Sequence, residues 1–290
     1  MSTFDPAAIL SAWLAGLAGF LTDVRALFWW PTLVTAALGA LVLIAVNARG
    51  KPAAGAGEKK PLRAFLRELP MDITCYLGYT LTQVLLAKAL FWATVGGVSL
   101  VFLIGGHPTG PAAAPAFSEQ LAVAALAFVL SDFCLYWSHR LFHVAGPLWW
   151  FHSLHHQPSV LTPITAFRFW PPEAACHFAA FSFGEGVAFG IANLGFGANI
   201  TPATYLGVNV FLIVWYLAFS HLRHSHVALY YPRWLSFVLV SPHMHQAHHS
   251  VNPQQYQSNY GTALAVWDWM FGSLYIPGKE ERFRFGITRG

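Results

Sequence analysis

Leu27 to Val46 is a run of twenty residues without a charged side chain. At about 1.5 Å per residue, a helix of that length crosses a hydrocarbon core about 30 Å thick, so the run predicts a membrane span. Further apolar stretches follow at Ile73–Ile104, Leu121–Trp137, Ala174–Ala192 and Tyr205–Phe219. Charged residues are only 10% of the 290, and the mean hydropathy is +0.49. Soluble domains carry roughly 25% charged residues. The expected fold class is therefore all-α integral membrane: a bundle of about four to five transmembrane helices. A formal net charge of +4 gives no reason to expect nucleic acid as a partner.

Charge distribution sets the expected topology. Ala7–Leu21 is too short to span and reads as an interfacial helix. Asn47–Pro70 holds Arg49, Lys51, Lys59, Lys60, Arg63 and Arg67 against Glu58 and Glu68, which places this loop in the cytoplasm. Its start, Lys51–Gly57, reads as a flexible linker. Gly105–Ser118 lacks Lys and Arg and reads as an outer loop. Leu121–Trp137 then returns the chain, delivering His139 just past the helix end. Ala174–Ala192 and Tyr205–Phe219 form a helical hairpin that delivers His221. Both histidine tracts then lie on one face, the cytoplasmic face of what is expected to be a bacterial inner membrane. The expected organisation is residues 1–120 as N-terminal membrane helices with the basic cytoplasmic loop and residues 121–290 as a second domain with a histidine-rich cytoplasmic helical cap. Cys75, Cys134 and Cys176 stand at no metal-like spacing and read as small hydrophobes.

Twelve of the fourteen histidines fall in two tracts. The first holds His139, His143, His152, His155 and His156. The second holds His221, His224, His226, His243, His245, His248 and His249. Imidazole is the commonest protein metal ligand, and residues three and four apart share a helix face. His139 with His143, and each His-x-x-His-His group, can present several nitrogens to one side. One ion takes four to six ligands, so eight to ten nitrogens imply two ions. By ligand type, iron, zinc and copper all suit such a site. Carboxylates are scarce, with only Asp132, Glu173 and Asp268 near these motifs. The Glu-x-x-His pairs of ferritin-like di-iron sites are absent, as is the His-Glu-x-x-His zinc signature. A metal enzyme is one reading of such a site and a metal transporter or metal-binding scaffold the alternative, although transporters place their ligands at mid-span.

The strings Asp132-Phe-Cys-Leu-Tyr136-Trp137-Ser-His139-Arg140-Leu-Phe-His143 and Leu148-Trp149-Trp150-Phe151-His152-Ser-Leu-His155-His156 resemble the fatty acid hydroxylase / sterol desaturase superfamily. So do Ser241-Pro-His-Met-His245-Gln-Ala-His248-His249, Asn259-Tyr260-Gly261 and Trp267-Asp268-Trp-Met-Phe271-Gly272. The resemblance covers about Asp132 to Tyr275. It implies a non-haem di-iron membrane enzyme that uses O2 and two electrons to hydroxylate or desaturate a lipid. It implies metal ligation by His139, His143, His152, His155, His156, His224, His245, His248 and His249. His226, where many relatives have Asn, is either a further metal ligand or a substitute for a water-holding Asn. Trp170 stands where relatives often have His. The expected partners are a lipid substrate from the bilayer and a separate electron donor, a ferredoxin or a cytochrome b5-type protein with its reductase.

Overall fold

The computed structural model describes residues 5–18, 34, 38, 61–108, 115–197, 202–205, 208–225 and 228–287. Apart from positions 34 and 38, the span expected at Leu27–Val46 lies outside the described residues, as does the linker Lys51–Gly57. The described chain is mainly helical, with turns and irregular segments joining short helices in its C-terminal part. Helix α1 (Pro6–Ala18) is followed by three long apolar helices: α2 (Pro61–Gly105), α3 (Phe117–Val144) and α5 (Pro171–Phe196). Each of the three is long and apolar enough to cross a membrane. Between α3 and α5 lie the short helix α4 (Gly146–His156) and a 3-10 turn, Pro163–Phe167.

Three boundaries depart from the sequence expectation. Helix α2 begins at Pro61 and passes through Pro70, so residues 61–70 are helix rather than loop. Glu68 and Asp72, four apart, share a face and both meet the Arg168 guanidinium. This paired acidic face holds the turn around a proline that lacks an N–H donor. Helix α3 runs on to Val144, so His139 and His143 sit within it rather than past its end. The returning limb is also not one helix from Tyr205. Thr204–Tyr205 (β1) and Val208–Asn209 (β2) form a small antiparallel hairpin. Helix α6 (Val210–Trp215) starts only where the Asn209 side chain accepts from Phe211 N. A π turn, Tyr216–Ser220, and the short α7 (His221–Arg223) complete the limb.

Two compact units interleave along the chain. The first comprises Met1–Trp29, Thr80–Ser138 and Ala175–Tyr216; the second comprises Trp30–Tyr79, His139–Ala174 and Leu217–Gly290. In the first unit, helices meet backbone to backbone at glycines. A Cβ on Gly97 would strike Phe183 O, one on Gly186 would strike Thr94 O, and one on Gly184 would come within 2.5 Å of Leu130 O. Without a hydrophobic drive between helices in lipid, such close approach supplies the packing. The Ser131 hydroxyl adds a 3.0 Å hydrogen bond to Phe181 O. Gly184→Ala is expected to destabilise by about 1–3 kcal/mol, seen as an earlier unfolding midpoint in detergent. Gly195→Ala, where a Cβ meets nothing within 4 Å, is the neutral control. Equal midpoints for the two variants would contradict this packing.

The second unit carries every described histidine of the two tracts. Its C-terminal part contains a 3-10 turn (Leu235–Phe237) and helices α8 (Pro242–His248), α9 (Pro253–Tyr256) and α10 (Val266–Met270). The Ser241 hydroxyl caps α8 by accepting from Met244 N, with Pro242 at the first helical position.

Candidate metal centre

Nine histidines from four elements gather into two buried clusters. One contains His139, His143, His152, His156 and His248; the other contains His155, His224, His245 and His249. Within each, one ring nitrogen from every residue lies within 4.8 Å of all the others. The two tracts, distant in sequence, therefore meet at one place. His226 lies outside the described residues.

Each His-x-x-His-His group is divided between the clusters instead of facing one side. On α4, His152 and His156 join the first cluster and His155 the second. On α8, His245 and His249 join the second and His248 the first. The helical turn explains the division. Residues four apart superpose on one face, whereas adjacent residues diverge by about 100°. One short helix thus serves two centres. The clusters abut: the rings of His156 and His249 stack at 4.4 Å.

Proton positions make the case for a cation. His139 Nδ1 lies 2.8 Å from Tyr260 O, and His248 Nδ1 lies 2.7 Å from Ser258 O. A carbonyl only accepts, so both Nδ1 atoms carry hydrogen. His152 Nδ1 donates to the fully buried Glu173 carboxylate at 2.5 Å. In the neutral rings the Nε2 atoms are then bare lone pairs. Yet His139 Nε2 stands 3.1 Å from His152 Nε2 and 3.1 Å from His248 Nε2. His156 Nε2 lies 3.2 Å from His152 Nε2.

The second cluster brings its Nε2 atoms equally close, with the tautomer fixed at His224. The Thr165 hydroxyl gives its hydrogen to Thr162 O at 2.7 Å, so it accepts from His224 Nδ1 at 3.0 Å. His224 Nε2 is bare and faces His245 Nε2 at 2.9 Å, while His249 Nε2 lies 3.1 Å from His245 Nε2. Nitrogens each about 2.0–2.1 Å from a shared ion stand about 2.9–3.4 Å apart, for right-angle to tetrahedral geometry. The bare lone pairs of His139, His152 and His248, facing each other at such distances, repel unless a cation lies between them. The donor set fits a metal ion in each cluster.

Burial pushes the pKa values of His155, His156, His245, His248 and His249 well below 6.5, and neighbouring imidazoles add to the effect. Burial does the same for His224, followed by the Arg223 charge. Neutral imidazole is the ligand form. His143 has no hydrogen-bond partner on either ring nitrogen among the described residues, and His155, His245 and His249 have none on Nδ1.

The supporting residues are mostly ones that histidine spacing does not reveal. Two anchors are main-chain carbonyls, Ser258 O and Tyr260 O. Asp268 accepts from Tyr260 N and Gly261 N, each at 2.8 Å, and from the Ser273 hydroxyl at 2.7 Å. It therefore shapes the loop that presents Tyr260 O to His139. Asn259, in the left-handed region with φ 55°, bonds Met244 O and Tyr275 on either side. Asp132 is buried in the other compact unit. Arg168 pairs with Asp72 and, at 3.2 Å, with Glu68. This fixes the segment carrying Thr165 and Phe169, whose ring stacks on His155 at 4.7 Å. Trp149 covers His143 and His156 at 5.2 and 5.3 Å and stacks on Tyr256. Trp170 stacks on Trp150.

His243 belongs to neither cluster. Its Nδ1 meets Gln246 at 3.1 Å and its Nε2 meets Gly278 O at 3.2 Å. Thr165→Ala removes the acceptor for His224 and is expected to weaken metal binding at the four-histidine cluster by about 10–100-fold. Metal content after dialysis against graded chelator checks this, with the five-histidine cluster expected to hold.

The fatty acid hydroxylase family model matches residues 124–273. The ornithine lipid hydroxylase OlsE of Rhizobium tropici is 30% identical over 212 residues, 67% of this chain and 58% of the relative. The alkylglycerol monooxygenase of Xenopus tropicalis is 29% identical over 163 residues, 56% and 32% of the respective chains. The Delta(7)-sterol 5(6)-desaturase erg3B of Aspergillus fumigatus is 26% identical over 218 residues, 74% and 56%. The chain thus spans between a third and three fifths of these relatives' own lengths. No solved structure matches it significantly. A match over half the chain that contains both histidine tracts decides the assignment: the chain belongs to the fatty acid hydroxylase family.

Proposed function

We propose that the protein is a membrane-bound, O2-dependent non-haem di-iron oxidoreductase that hydroxylates an unactivated C–H bond of a lipid. The observation that carries this reading is the facing of bare Nε2 lone pairs on His139, His152 and His248 at 3.1 Å. His139, His143, His152, His156 and His248 would hold one ion, and His155, His224, His245 and His249 the other. His226 is assigned to the second ion from its tract alone. Imidazole sites suit zinc as well as iron, but zinc has no redox chemistry. The relatives' names are those of a hydroxylase, a monooxygenase and a desaturase. Those activities favour iron, and the ornithine lipid, alkylglycerol and sterol in the names favour a lipid substrate.

Bound iron would supply O2 activation, with one oxygen atom entering the product and the other leaving as water, at the expense of two electrons and two protons. The chain's own residues hold and shield. Glu173, Tyr260 O, Ser258 O and Thr165 fix ring orientations through Nδ1–H. The Glu173 carboxylate offsets part of the cationic charge. Phe169 and Trp149 close off the imidazoles from water. Electrons come from a separate ferredoxin or cytochrome b5-type donor with its reductase. The basic tract from Arg49 to Arg67 favours a cytoplasmic site, in a bacterial inner membrane.

The test is lipid analysis of a host expressing the chain against one expressing His248→Ala. An O2-dependent product one oxygen heavier supports hydroxylation, and one two hydrogens lighter moves the reading to desaturation. Unchanged lipids together with stoichiometric zinc would favour a metal-binding or transport protein instead.

A further inference from the structure

Two short elements in the histidine-bearing unit are built inside out. In α10, Asp268 is 0% exposed while its neighbours Trp269 and Met270 are 62% and 59% exposed. Around the 3-10 turn Leu235–Phe237, Ser236 is 2% exposed while Trp234 and Val238 are 71% and 43% exposed. The polar side chain points inward and the large apolar ones outward, the reverse of a water-facing surface.

The two elements lie side by side. Leu239 and Leu264 form an antiparallel bridge, Ala265 N donates to Val238 O at 2.9 Å, and the Phe237 and Trp269 rings meet edge to face at 6.3 Å. The apolar residues therefore form one continuous patch. Arg233 flanks it, with its guanidinium 5.9 Å from the Phe237 ring. The patch also adjoins the end of a membrane helix. Arg140, on the last turns of α3, donates to Phe271 O at 3.0 Å, directly after Met270. Leu141 and Val144 on that same helix end are exposed as well.

The geometry points to this patch of Trp234, Val238, Trp269 and Met270 as a surface that sits in the headgroup region of the bilayer. Its occupant is a lipid surface and not a soluble partner. Tryptophan and arginine at the edge of an apolar face are the side chains that favour that depth, with the ring in the acyl boundary and the cation among phosphates. Faces of this kind enter about 5–10 Å into the headgroup and acyl boundary. The Arg140–Phe271 hydrogen bond ties the patch to the end of α3, so it reaches the interface without any separate association step. The inward Asp268 meanwhile holds the loop whose Tyr260 carbonyl orients His139. The surface thus backs directly onto the first histidine cluster, whether or not metal is bound.

The experiment uses the full chain with Cys75, Cys134 and Cys176 replaced by Ala, in phospholipid nanodiscs holding one chain each. An environment-sensitive NBD label is placed at Trp234→Cys, Val238→Cys or Met270→Cys, with Glu280→Cys as the exposed polar control. Val238 and Met270 serve as independent positions should loss of the tryptophan disturb folding. The expected result is blue-shifted emission at the patch, quenched by lipid-borne doxyl groups and protected from aqueous iodide, with the reverse at Glu280. Iodide access equal to that at Glu280 would overturn the proposal. So would labels shielded only when two chains share a disc, because the occupant would then be a second copy.

Discussion

His248→Ala is expected to abolish turnover and to remove the metal of the five-histidine cluster, whereas His243→Ala leaves both metals bound. The two residues share helix α8 and are equally buried. They differ in what their rings face. His248 Nε2 lies 3.1 Å from His139 Nε2, with its Nδ1–H fixed on Ser258 O. His243 spends both ring nitrogens on Gln246 and Gly278 O. Removing a ligand should cost more than the roughly 10–100-fold lost when an outer partner is removed. Removing His243 leaves buried polar groups unmatched, a stability cost of about 1–3 kcal/mol with no effect on metal count. Elemental analysis and O2 consumption on the two purified variants read the contrast. Equal metal loss in both would contradict the assignment of clusters.

Acid should unfold the metal-free protein and strip metal from the loaded form within a narrow window. Burial holds His155, His156, His224, His245, His248 and His249 well below 6.5 in the native state. In the unfolded chain their pKa returns to about 6.5. Below that pH the unfolded state binds protons that the native state refuses, so stability rises with pH across this range. It is complete above about 6.5 and declines as pH falls toward the native values. Each group contributes up to about 1.4 kcal/mol per pH unit. Protons also compete for Nε2, so metal leaves in the same direction. Unfolding midpoints and metal retention measured from neutral to mildly acidic pH are expected to fall together and steeply. A flat profile would mean that these imidazoles are neither buried nor neutral.

The centre was legible because histidine is a rare residue whose spacing carries meaning. Two tracts at three- and four-residue intervals foretold convergence, and the structure joins them. The division of each His-x-x-His-His group was not foreseen, although helical geometry contains it: His155 and His156 are adjacent and must diverge. The anchors were harder to read for a physical reason. Ser258 and Tyr260 act through main-chain carbonyls, which every residue possesses and no side-chain pattern marks. Thr165 is one threonine among many until folding brings it to His224. Glu173 stood out as a scarce carboxylate near the motifs and as the end of the Arg168–Glu173 stretch, with no sign that it would meet His152. In the membrane helices, hydropathy located α5 and the start of α3 to within four residues, but ended α3 at Trp137 where the helix runs on to Val144. It misread the start of α2, because the Glu68–Asp72–Arg168 pairing that keeps Pro70 helical spans distant parts of the sequence. It also began the returning limb at Tyr205, because apolar residues fill the β1–β2 hairpin as readily as a helix.

Each of the two imidazole clusters is expected to hold one redox metal. Metal quantification on protein purified in detergent from an iron-replete host, combined with its absorption spectrum, tests this most directly. The expected result is about two irons per chain, from one ion in each cluster, with no haem bands. One ion or none per chain, stoichiometric zinc, or iron present as haem would contradict it.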